Sequence, residues 1–185
     1  AARTPNLDSL APRAALGRLL PVAPGVTPGS GPGHLGLVGY DPATTEVGRG
    51  VLEALGAGIT LHPGDVAARA NFCTVDRAGV VTDRRAGRIS GDECARLVER
   101  LKSSAARIED IDIVLQAGKG HRFVAVLRGP GLAGGVSDAD PHQEGKPIPA
   151  AHVLESQSEK GETGGTSDKS EKTARIVNAF VTRAR

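Results

Sequence analysis

The chain has 185 residues, a net charge of +2 and 39% hydrophobic content, enough for one good core or two small lobes. Its aromatic side chains (Tyr40, Phe72, Phe123, Phe180) are too few for a base-stacking platform, and the charge balance is not basic enough to argue for nucleic acid. No apolar run approaches the roughly 20 residues that a membrane span requires.

In chain order, a short helix is expected after Thr4-Pro5, with Leu7, Leu10 and Ala14 on one side. An apolar stretch, Leu16 to Val22, leads to a glycine- and proline-punctuated loop, Pro28-Gly29-Ser30-Gly31-Pro32-Gly33-His34, and then to a strand-like run, Leu35 to Gly39. Glu46 to Leu55 has helical spacing and is closed by Gly56 and Gly58. Asp65 to Val75 alternates like a strand, Asp76 to Gly79 is a turn, and Val80 to Thr82 begins a return strand, giving a hairpin. Ser90-Gly91-Asp92-Glu93 is a capping box, opening a helix with Cys94, Leu97, Val98 and Leu101 on one stripe. Ile111 to Gln116 and Arg122 to Arg128 form a second hairpin. Residues 156–170 are a solvated loop, and Asp168 caps a last helix with Thr173, Ile176, Val177 and Phe180 on one face.

The fold class is therefore α/β, in two parts. Residues 1–60 are small-residue α/β material. Residues 61–185 are an α+β domain in the order hairpin, helix, hairpin, helix, with the helices on one face of antiparallel strands. Cys73 and Cys94 lack metal-ligand spacing and read as buried or half-buried thiols of a reducing, cytoplasmic compartment. The chain contains no methionine and opens in mid-pattern, so it reads as a piece of something longer.

The serine loop carries the chemistry. A hydroxyl held among small residues lets an anionic group approach the backbone, whose N–H groups can receive its oxygens. Gly31-Pro32-Gly33-His34-Leu35-Gly36 also spells the dinucleotide fingerprint, but that pattern needs a helix opening on its last glycines. The apolar and turn-like residues that follow do not supply one, so a nucleotide is not expected. Arg84, Arg85 and Arg88 crowd a turn, where guanidinium forks suit carboxylate and phosphate. Arg49 and Arg69 are further cationic candidates, and His34 can orient the serine loop or touch an anion. Asp138, Asp140 and His142 have spacing that divalent ions tolerate, but read better as a turn or domain-interface motif.

Several motifs occur in a familiar order: Thr4-Pro5-Asn6-Leu7-Asp8, Pro28-Gly29-Ser30 with His34-Leu35, Gly39-Tyr40-Asp41-Pro42, and Leu52-Glu53-Ala54-Leu55-Gly56-Ala57-Gly58. Pro63-Gly64-Asp65-Val66-Ala67, Asn71-Phe72, Asp83-Arg84-Arg85-Ala86-Gly87-Arg88 and Ser137-Asp138-Ala139-Asp140-Pro141-His142 continue it. The chain resembles the archaeal-type cofactor-independent phosphoglycerate mutases of the alkaline phosphatase superfamily. The resemblance implies part of a phosphatase-like metalloenzyme lobe (1–60) and an inserted domain (61–185) that closes over substrate. It implies interconversion of 2- and 3-phosphoglycerate, with Ser30 as nucleophile and metal-bound acceptor of the phosphoryl group. Two divalent ions, manganese or similar, are implied, with their other ligands outside this chain. Arg84, Arg85, Arg88, His34, Arg49 and Arg69 become candidate contacts for a small phosphoglycerate; no nucleic acid or membrane partner is implied. Gly31 and Pro32 follow the serine where an acidic residue is usual. The competing function is a non-catalytic phosphoester-binding or assembly module that lacks the metal half.

Overall fold

A computed structural model describes residues 3–26, 29–42, 44–45, 47–154 and 165–185. The chain divides into two compact units, Ala1–Val47 and Gly48–Arg185.

The first unit contains helix α1 (Pro5–Leu10), a single 3-10 turn (Ala11–Arg13) and helix α2 (Ser30–Leu37). The serine segment is thus the start of a helix, where a glycine loop and a strand from Leu35 were expected. Gly29 takes the extended N-cap conformation (φ −68°, ψ 165°), and Pro32 sits in the first turn, where its missing N–H breaks no helical bond. Gly36 lies so close to the Pro21 carbonyl that a Cβ would come within 1.8 Å of the oxygen. Its glycine serves this contact rather than a loop.

The second unit is built on a four-stranded antiparallel sheet in the order β1-β6-β5-β4. Its strands are β1 (Val66–Asn71), β4 (Arg107–Ile108), β5 (Ile111–Ala117) and β6 (Arg122–Arg128). A small separate hairpin joins β2 (Thr74–Val75) to β3 (Val81–Asp83). The expected hairpin therefore splits. The long strand from Asp65 pairs with β6 in a register that sets Val66 against Leu127 and Asn71 against Arg122, and only its last residues fold back on β3.

Helices α4 (Gly91–Ala105) and α5 (Gly165–Arg183) cover one face. Cys94, Val98, Leu101, Ile176 and Phe180 pack there against Ile111, Ile113, Leu115, Phe123, Ala125 and Leu127. The Ser90 half of the capping box forms: Ser90 Oγ accepts from the Glu93 N–H at 3.1 Å, while the Glu93 carboxylate pairs with Arg96. The last helix begins at Gly165, ahead of Asp168, which lies in its first turn. Of the predicted solvated loop, residues 156–164 lie outside the described residues, as do Pro28 of the serine segment and Glu46, and residues 165–170 are helical instead.

The two helices of residues 61–185 thus share one face as expected, and helix α3 (Arg49–Gly56), from the part read as separate α/β material, covers the opposite face. Ala54 packs on Val124 and Val126, and Gly50 sits where a Cβ would meet the Ala67 carbonyl oxygen at 1.9 Å. Only a glycine lets helix and strand approach this closely. Coverage on both sides explains why Phe123 to Leu127 are all buried. The neighbouring β5 alternates, because α3 packs on β1 and β6 and leaves Asp112 and Gln116 to solvent. Asp65 fixes the entry to β1: it pairs with both Nε and Nη2 of Arg128 and accepts from the His62 N–H at 2.9 Å. Its side chain is only 3% exposed, and the Arg128 guanidinium holds its carboxyl below the usual range.

Candidate functional site

In the first unit, Ser30 is exposed at the N-terminal residue of α2. His34, one turn later, donates from Nδ1 to the Ser30 carbonyl at 2.6 Å. The N–H groups of Ser30 and Gly31 precede the first helical bond, which Gly33 makes to Gly29. A hydroxyl thus stands beside backbone donors, the arrangement that suits an incoming phosphoryl group. The fingerprint glycines Gly31, Gly33 and Gly36 lie inside this helix, and no strand precedes it among the described residues. The nucleotide reading therefore still fails, but for lack of the strand rather than of the helix.

In the second unit, the arginine turn follows β3. The Asp83 carboxylate accepts from the backbone N–H of Arg85 and of Gly87, each at 2.7 Å, and these two donors hold its carboxyl below the usual range. Ala86, Gly87 and Arg88 all have positive φ (48°, 65° and 58°), a run that side chains other than glycine rarely adopt. One aspartate fastens that conformation and leaves Arg85 and Arg88 exposed at its rim. Together with Arg84, Glu144 and His142 they line a groove of about 590 Å³.

Arg84 is placed differently. Its Nε and Nη2 grip the two Asp140 oxygens at 3.2 and 2.7 Å, a bidentate fork that occupies the guanidinium. Burial raises the Asp140 carboxyl, but the fork and the His142 N–H outweigh it and bring it below its ordinary value. His142 also pairs with Asp138 at 3.0 Å. Asp138, Asp140 and His142 are therefore a turn that holds Arg84. Among the described residues, no group of three or more His, Cys, Asp or Glu side chains is placed to hold a metal ion.

Arg69 is exposed on β1, on the same sheet face as Asn71, and Arg49 is exposed at the first residue of α3. Two residues that motif reading passed over, His121 and Arg122, lie where β6 begins. Arg122 faces Asn71 across the sheet, and Arg122 Nε and Asn71 Oδ1 are buried without a hydrogen-bond partner. The only signal in the sequence is the pair of polar residues at the mouth of an apolar strand. Cys94 donates its thiol to the Arg122 carbonyl, and burial pushes both Cys94 and Cys73 up, away from the thiolate form. No helix among the described residues is long and apolar enough to cross a membrane.

By fold and site this is a mixed α/β protein with a helix-borne serine in one unit and an arginine-rich sheet end in the other. A sequence profile of the 2,3-bisphosphoglycerate-independent phosphoglycerate mutases matches residues 11–185, and the chain belongs to that family. It is 50% identical over 181 residues to a Thermotoga petrophila protein named "Probable 2,3-bisphosphoglycerate-independent phosphoglycerate mutase", covering 98% of this chain and 42% of that protein. A relative of the same name from Thermus thermophilus is 49% identical, over all of this chain and 43% of the relative. Among solved structures, the cofactor-independent phosphoglycerate mutase from Thermoplasma acidophilum superposes with a TM-score of 0.62 at 34% identity, covering 89% of this chain and 39% of that one. The PH0037 protein from Pyrococcus horikoshii gives 0.60 at 28% identity, covering 99% and 36%. The chain thus spans less than half the length of these relatives.

Proposed function

We propose that the protein interconverts 2- and 3-phosphoglycerate in the cytoplasm as a glycolytic isomerase, with Ser30 as the residue that accepts and returns the phosphoryl group. The observation that carries this reading is the near-50% identity running through both units to relatives bearing the mutase name. In this reading the first unit is part of a phosphatase-like lobe, and the second is the inserted domain that binds substrate. Arg85 and Arg88 pair with substrate oxygens, with Arg49 and Arg69 adding positive charge. Arg84 acts through Asp140, setting the shape of the groove in which its neighbours lie. His34 fixes the serine turn through the Ser30 carbonyl.

Two divalent ions of the manganese type would supply charge neutralisation and lower the pKa of the serine hydroxyl. The described residues do not fit such a pair: no group of three or more of their His, Cys, Asp or Glu side chains is placed to hold a metal ion. No step is therefore derived through metal, and the 185-residue chain alone is expected to be inactive.

The test is a coupled assay of 3- to 2-phosphoglycerate conversion on the complete protein and on its Ser30→Ala variant. Turnover in the former and none in the latter is expected. Full turnover by Ser30→Ala overturns the assignment of Ser30. No turnover by the complete protein, with phosphoglycerate still bound, points instead to a non-catalytic phosphoester-binding module.

A further inference from the structure

The turn after β3 is anchored at both ends and strained at its crest. On one side Val81 of β3 is buried; on the other Ile89 packs against the main core just before Ser90 caps α4. Between these anchors Ala86, Gly87 and Arg88 run through φ values of 48°, 65° and 58°. In this left-handed region Cβ crowds the following carbonyl oxygen, which disfavours each residue other than glycine by roughly tenfold in an equilibrium constant. Ala86 and Arg88 both carry that penalty. Packing does not impose it, because a Cβ built on Gly87 at the middle of the run would meet no atom within 4 Å.

What fastens the crest is Asp83. One carboxylate oxygen accepts from the Arg85 N–H and the other from the Gly87 N–H, each at 2.7 Å. The Arg88 N–H then donates to the Arg85 carbonyl at 2.8 Å, which closes the turn and brings the two arginine backbones together. Both arginines are exposed and line the groove, whereas Arg84 is gripped from outside the turn by Asp140. A relaxed turn would expose two cations equally well. The strained one fixes where they stand, at the expense of two bonds to a charged acceptor.

We propose that Asp83 is a positioning residue for phosphoglycerate: it locks the turn so that Arg85 and Arg88 form a preset pair on the groove wall. The proposal rests on the reading above that these two arginines meet substrate. Both oxygens of Asp83 are taken by backbone N–H groups, so it acts through the turn. Two guanidinium groups on a fixed turn lose little further freedom when an anion arrives, so the lock contributes to affinity rather than to chemistry.

The experiment compares the complete parent protein with Asp83→Ala, with Asp83→Asn, and with Asp83→Ala combined with Ala86→Gly. Hydrogen exchange of the peptide spanning residues 83–89, read by mass spectrometry, reports the lock. Calorimetry reports 3-phosphoglycerate affinity, and the coupled assay reports KM and kcat. Asp83→Ala is expected to speed exchange in the turn and to weaken binding, each by at least about tenfold, with KM rising in step and kcat kept within about twofold. Asp83→Asn keeps one of the two acceptor oxygens and should lie between Asp83→Ala and the parent. Adding Ala86→Gly removes one left-handed penalty and should recover affinity by at least about threefold. Glycine ordinarily loosens a chain, so a gain from it marks the strained turn itself. Parent-like affinity and KM in Asp83→Ala overturn the proposal. A loss of affinity with unchanged exchange overturns it too, because Asp83 would then be a direct contact.

The two readings fail separately. Weaker 3-phosphoglycerate binding by Asp83→Ala, in a complete protein whose parent shows no turnover, removes the mutase reading and keeps the positioning role. Turnover with an unchanged KM in Asp83→Ala removes the positioning role and keeps the mutase.

Discussion

The two units have similar sequence material and opposite outcomes. In the second, apolar residues of the main sheet and of the helices on its two faces reach burial, with Ile111, Val124, Val126 and Ile176 fully enclosed. In the first, no described residue is buried, and Leu7, Leu16 and Leu19 remain 67%, 78% and 67% exposed. A segment of this length cannot enclose a core by itself, because too little of its surface can be hidden from water. Hydrophobic content is therefore no measure of a core. What decides is whether a second layer faces the apolar side chains. In the second unit α3, α4 and α5 provide it, whereas the described residues of the first unit have none.

The strongest way to separate the units is functional. Ser30→Ala in the complete protein is expected to lower turnover at least about a thousandfold while leaving phosphoglycerate affinity within about twofold, as assay and calorimetry would report. A parallel loss of affinity would mean that the serine unit also carries binding.

Next in size is Asp65→Asn, which removes a nearly buried carboxylate and leaves Arg128 without its charge partner. It is expected to cost about 3 kcal/mol, read as a lower urea midpoint with an unchanged slope. The same carboxyl sets an acid limit. Its folded value lies below its ordinary value of 3.8, so its contribution is complete above that pH and is lost as pH falls towards the folded value. Urea midpoints measured across this range should fall in the parent chain and flatten in Asp65→Asn. Gly50→Ala drives a Cβ into the Ala67 carbonyl and is expected to cost about 2 kcal/mol by unseating α3. No loss there would mean that α3 is dispensable to the sheet. The smallest effect belongs to the first unit: Leu19→Ser should change the stability of this chain by less than about 0.5 kcal/mol.

Legibility followed the range of the interactions. Ser90 and Glu93 announce a cap because the bond spans three residues, and Cys94, Val98 and Leu101 announce a stripe because helical periodicity is local. The strand from Asp65 was visible too, but not its partner: turn chemistry at Asp76–Gly79 suggested β3, whereas packing of the partly buried Val66 and Ala67 against the cores on the two sheet faces favoured β6. The start of α2 was missed because Gly and Pro usually punctuate loops; here Gly29 and Pro32 suit a helix start, and Gly36 answers Pro21, a contact between distant positions. At the candidate site, the motif marked Arg84, Arg85 and Arg88 alike. Only the fold gave Arg84 to Asp140, 56 residues away, and left the other two exposed.

The sequence by itself determined the family, the helix and strand periodicities, and the serine and arginine turn on which a phosphoryl-transfer reading rests. These are matters of local pattern and ordered motifs. Tertiary structure alone decided that α3 closes the second face of the sheet, that Arg84 is engaged, and that Arg122 lies opposite Asn71 at the end of the β1–β6 ladder. Each of these depends on which strands pair and in what register, and register is chosen by burying whole faces at once rather than by any neighbour along the chain.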